Sequence, residues 1–121
     1  MGAIGGWPHD LVNSQDPEFP EQVSSWLLDR LPSEFRVTAI ARSRVVLAWV
    51  LTKYVKADLE ALREMYATAR VELRGTEVSV DDVLATLEAI GSARIRLDRE
   101  VGLVFEALLR ASGAVGSSDL E

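Results

Sequence analysis

His9 is the chain's one histidine. A general base at neutral pH is most often a histidine, so it is the first residue to weigh for chemistry. It lies in MGAIGGWPHDLVNSQ, a stretch rich in Gly and Pro that identifies no orienting partner for it. We read it as a solvated residue. The chain has no cysteine, so disulfides, thiolate metal sites and cysteine nucleophiles are excluded. Glu60, Glu64, Glu72, Glu88 and Glu106 supply carboxylates, but a diiron-type bundle needs Glu-x-x-His pairs and none exists here. GAIGG lacks the preceding strand and the lysine of a phosphate loop. A site made of carboxylates alone is the one catalytic option left, and a weak one. The expectation is no catalytic residue, no cofactor, no metal, and a protein that is not an enzyme.

The cations form a clearer pattern. Lys56, Arg63 and Arg70 recur every seven residues, and Arg74 extends the row. Such a row can contact phosphates. Glu60, however, stands three residues before Arg63 and four after Lys56, where it supplies a local ion-pair partner. No aromatic residue is assigned to that face, Tyr66 being placed in the seam. It reads first as a solvated charged face, with a nucleic-acid-associated regulator as the alternative. Arg36, Arg42 and Arg44 make a smaller basic cluster of the same kind.

The elements that must position these groups are helical. Pro20 suits the first turn of a short helix, with Val23, Trp26, Leu27 and Leu31 at helical spacing and Pro32 as its stop. Ser33 is a cap for a second short helix through about residue 42, with Phe35 and Ile40 facing in. From 44 to 73, Val45, Ala48, Thr52, Val55, Leu59, Leu62, Tyr66, Ala69 and Leu73 alternate by three and four, a heptad seam. This long helix is either continuous with the short one before it or separate. Gly75 is its stop. Ser79 starts the next helix, with Asp81 and Asp82 in its first turn and Val80, Val83, Leu87, Ile90, Arg94, Leu97, Val101, Val104 and Leu108 as its seam.

Two seamed helices joined by a short loop predict an antiparallel hairpin, each arm about 45 Å long. Folding it at 75–79 sets opposite each other residues whose numbers sum to about 154. Arg94, the one polar seam residue, then falls near Glu60, with Asp58 and Glu64 in reach. The pair reads first as a snorkelling Arg at the seam edge held by Glu60, with a contact that fixes register or partner choice as the sharper alternative. The fold expected is all-α: a long coiled-coil-like hairpin with one or two short N-terminal helices, completing a dimeric helical bundle. Residues 1–19 read as a flexible arm, 20–111 as a single helical domain, and 112–121 as a disordered tail.

VVLAWVLTKYV, residues 45–55, is more apolar than one seam requires. A membrane span needs about 20 predominantly apolar residues, and Lys53, Lys56, Asp58 and Glu60 come too soon. Leu47, Leu51 and Tyr54 form a second stripe, flanked by Trp49 and Val50, that demands another neighbour. The predicted partner or dimer surface is therefore Trp26, Leu27, Leu47, Trp49, Leu51, Tyr54 and Phe105, at the end of the hairpin away from its loop. An apolar pocket between Trp49, Phe105 and the first helix would suit a small-molecule sensor, a further alternative. The leading expectation is a non-enzymatic interaction or regulatory module that is a homodimer, with an unidentified protein as a further partner.

The net charge of −6 is uneven, with a basic middle segment between acidic ones. Opposite signs suit two packed helices and argue against one continuous nucleic-acid surface. No membrane role is expected. The start of the chain lacks the basic and apolar regions of a signal peptide, and position 6 is Gly where a myristoylation start needs Ser or Thr. A cytoplasmic location is expected. Many Arg, few Lys and abundant Ala, Val and Leu suggest a bacterial source.

Overall fold

A computed structural model describes residues 5–113. Among the described residues all regular structure is helical: α1 (Phe19–Asp29), two 3-10 turns (Ser33–Val37 and Ala39–Arg42), α2 (Arg44–Glu72) and α3 (Val80–Ser112).

Helix α1 starts where Pro20 fixes φ without sacrificing a needed N–H. Its Phe19, Val23, Trp26 and Leu27 share one face and are buried. Residues 33–42 are not the single capped helix expected. Ser33 makes no cap bond, and extended backbone at Thr38 divides the segment into two short turns. Phe35 and Ile40 are half-buried. Ser43 is also extended, and its Oγ accepts the Val46 N–H at 3.3 Å. That cap begins α2 anew, so α2 is not continuous with what precedes it.

Gly75 turns the chain between α2 and α3 with φ +86, a left-handed conformation open to glycine at no cost. The Ser79 Oγ then accepts the Asp82 N–H at 3.2 Å, and Asp81 and Asp82 occupy the positive helix end. Helices α2 and α3 pack against each other along their length. Lys56 Nζ lies 3.3 Å from Asp98 Oδ1, and Tyr66 Oη donates to Glu88 Oε2 at 3.3 Å. Both pairs fit the register expected from folding at the loop.

The seam is uneven. Ala48, Val55, Ala69, Leu97, Val101, Val104 and Leu108 are buried, whereas Tyr66 and Ile90 remain exposed. Leu84 is buried although it lies outside the predicted seam. With Gly91 it flanks the seam residues Val80 and Leu87, so near the loop the buried strip lies to one side of the predicted seam.

The N-terminal stretch differs most from expectation. Residues 5–18 are not a loose arm among the described residues; they pack beside α1 and α3. Trp7 sits 6.0 Å from Phe19, centroid to centroid, and its indole N–H is shared by the Leu11 and Val12 carbonyls. Pro8 and Leu11 are buried. Gly6 has φ +87, where any side chain is strained, and a Cβ there would stand 2.7 Å from Arg99 Cδ, so the Arg99 side chain would have to shift. The stretch has no helical period because it buries its apolar groups from turns. At the C-terminal end, Ser112 closes α3, Gly113 caps it, and the rest of the expected tail lies outside the described residues.

Candidate interaction surface

The core gathers at the end of the hairpin away from the loop. Leu11, Phe19, Val23, Trp26, Leu27 and Leu31 meet Leu47, Leu51 and Val55 of α2 and Leu97, Val101 and Val104 of α3. The chain thus covers its own second stripe. Trp26, Leu27, Leu47 and Leu51, expected at a partner surface, are buried inside one chain. Phe105 is half-buried against the same core. Trp49 stays 50% exposed, with Lys53 Nζ 5.9 Å from its ring centroid, and Tyr54 meets Phe35 edge-on at 5.9 Å while staying partly exposed. Of the seven residues, only Trp49 and Tyr54 keep a broadly accessible side chain.

Sequence reasoning missed the latch that makes this closure possible. Asp10 Oδ1 accepts the Trp26 indole N–H at 3.0 Å, and Asp10 Oδ2 accepts from Arg30 at 2.8 Å. Arg30 also donates to the Trp26 carbonyl at 2.9 Å and lies 4.1 Å from its ring centroid, close enough for a cation–π contact. Partial burial pushes the Asp10 carboxyl up; the Trp26 N–H, the Arg30 charge and the Arg30 hydrogen bond outweigh it, and the carboxyl is held below its usual range. Nothing in the spacing of Asp10 foretells a contact sixteen residues away.

The cationic row is partly neutralised within the chain. Lys56 holds Asp98, Arg63 holds Glu60 at 3.3 Å, and Arg70 holds Asp81 at 3.5 Å. Arg94 NH1 lies 3.7 Å from Asp58 Oδ2, not beside Glu60. Two residues on a helix turn a side chain through about 200°, so Glu60 leaves the face that Asp58 shares with Arg94. Both partners of the Arg94 pair remain partly exposed, and its value as a buried specificity contact falls accordingly.

Among the described residues, no hydrophobic side chain past Leu59 on α2 and before Leu97 on α3 joins the main core or packs on it. This loop half of the hairpin has only two helices among the described residues. Met65, Tyr66, Val71, Val78, Ile90 and Ile95 are all exposed there, Met65 at 45% and Ile90 at 43%. Met65, Thr68, Ala69 and Glu72 of α2 and Leu73, which caps it, line a shallow, mainly apolar groove of 190 Å³ with Val83 and Leu87 of α3. Ile90 continues the Val83–Leu87 row by helical spacing.

Among the described residues no polar or charged side chain is buried, and no group of three His, Asp or Glu is placed to hold a metal ion. No helix there is long and apolar enough to cross a membrane. The loop half presents exposed apolar side chains beside the Arg63–Glu60 and Arg70–Asp81 ion pairs. No known family, curated protein or solved structure matches the chain.

Proposed function

We propose that this protein is a non-enzymatic interaction or regulatory module that works as a homodimeric helical bundle. The observation that carries the reading is the two-helix loop half, with Met65, Val71, Val78, Ile90 and Ile95 exposed and, among the described residues, no third layer over the groove. An isolated helix draws little stability from propensity alone and depends on burying an apolar face. Covering a side chain such as Ile90 contributes up to about 1.5–3 kcal/mol, so several together can hold two subunits at micromolar concentration. The far end needs no such help, because α1 and residues 5–18 already close it. The cytoplasm of a bacterium is the setting we propose, and fractionation of the native host checks it.

Sedimentation equilibrium of the full chain from submicromolar to about 100 μM is the test of the reading. A reversible approach to twice the chain mass supports it. A single-chain mass over the whole range overturns it.

A further inference from the structure

We infer that an outer strip of α2, headed by Trp49, is a binding surface for single-stranded nucleic acid. The inference is independent of the homodimeric reading and uses a different face of the molecule.

Trp49, Lys53, Lys56, Arg63, Arg70 and Arg74 share one alternation by four and three residues, with Glu60 and Ala67 in its two remaining places. That spacing keeps all of them on one side of the helix. Each follows a seam residue by one, so the strip is turned about 100° away from the seam. Every residue in it is exposed. It carries five bases against one acid. The cations alone fit a solvated face. The position of Trp49 is what changes the reading. It stands seven residues before Lys56, is 50% exposed, and has Lys53 Nζ 5.9 Å from its ring centroid.

The ion pairs along the strip do not close it. Lys56, Arg63 and Arg70 hold Asp98, Glu60 and Asp81 at 3.3–3.5 Å, but the three cationic side chains are 65–71% exposed. Pairs this exposed contribute little, and a phosphate oxygen replaces a carboxylate oxygen with the same charge-assisted bond. Among the described residues Lys53 and Arg74 make no salt bridge. The net charge of −6 opposes binding weakly, because exposed charges farther off than about 8 Å are largely screened at physiological salt.

A single strand fits both parts of the strip. Its phosphates meet the cations, and an unpaired base lays its ring on the indole. A duplex keeps its bases stacked on one another and offers none to Trp49. A membrane surface needs a broad apolar face, and the strip has only Trp49 and Ala67. An acidic polypeptide satisfies the cations without using Trp49.

The test is fluorescence anisotropy of a labelled oligothymidylate titrated with the full chain at several salt concentrations. Affinity should fall with salt at a log–log slope of about −3, from four or five phosphates at about 0.7 each. Trp49→Ala should weaken binding about tenfold or more, and Trp49→Phe should retain most of it. Arg63→Gln combined with Arg74→Gln should make the slope shallower by about 1. All three positions are exposed, so circular dichroism should show wild-type helicity in each variant. No salt-sensitive binding at low salt overturns the inference. Binding indifferent to Trp49→Ala overturns it too, as does equal affinity for duplex DNA, polyglutamate or vesicles of anionic lipid.

Discussion

Asp10 Oδ1 lies 3.0 Å from the indole nitrogen of Trp26, and this bond fastens residues 5–18 to α1. Arg30 completes the latch from the other carboxylate oxygen and packs on the same indole. The groups are partly exposed, so screening reduces what the ion pair contributes. Asp10→Asn should cost about 1 kcal/mol, read from the urea midpoint at pH 7. A change in Trp26 fluorescence should accompany it. No change in the midpoint would mean that apolar packing alone holds the segment.

The same latch sets an acid response. The folded Asp10 carboxyl sits below its usual range, so the folded state favours its ionised form. Its contribution is complete well above the unfolded value of about 3.9 and is lost as pH falls through the lower folded value. Unfolding curves taken between pH 6 and pH 2 should show a steeper acid loss in the wild type than in Asp10→Asn. Parallel curves would separate the latch from the charge of Asp10.

Burial divides the stretch VVLAWVLTKYV into two classes. Leu51 is buried under α1 and the residues before it, while Trp49 is half exposed on the other side of α2. Leu51→Ala should destabilise the chain by about 2–5 kcal/mol, and Trp49→Ala by about 0.5 kcal/mol or less. Thermal unfolding of both variants compares them directly. Equal losses would place Trp49 in a contact that one chain does not contain.

Gly6 makes a further test of the packed N-terminal segment. Gly6→Ala adds a Cβ 2.7 Å from Arg99 Cδ and puts a side chain at φ +87. It should cost about 1–2 kcal/mol, and hydrogen exchange should show residues 7–12 less protected. Unchanged protection there would mean the segment does not depend on its contact with α3.

Much of the fold could be read from spacing. Heptad alternation, Ser79 and Gly75 gave the hairpin, its loop and its register, and the Lys56–Asp98 and Tyr66–Glu88 pairs match that register. The N-terminal segment could not be read this way, because Trp7, Pro8 and Leu11 pack from turns and leave no periodic trace. With residues 5–18 taken as loose, Trp26, Leu47 and Leu51 needed an outside neighbour; with them packed, the unpartnered face moves toward the loop. Ile90 and Tyr66 fit the spacing of the seam yet stay partly exposed, Tyr66 with its hydroxyl on Glu88 of α3, and spacing alone does not reveal this.

The measurement closest to the central claim compares Ile90→Lys with Trp49→Lys by sedimentation of the full chain. Ile90 belongs to the bare loop half, and Trp49 to the end that the chain closes by itself. The expected result is a wild type and a Trp49→Lys variant near twice the chain mass at micromolar concentration, and an Ile90→Lys variant at the mass of one chain. A Trp49→Lys variant that falls apart while Ile90→Lys stays paired would contradict the account.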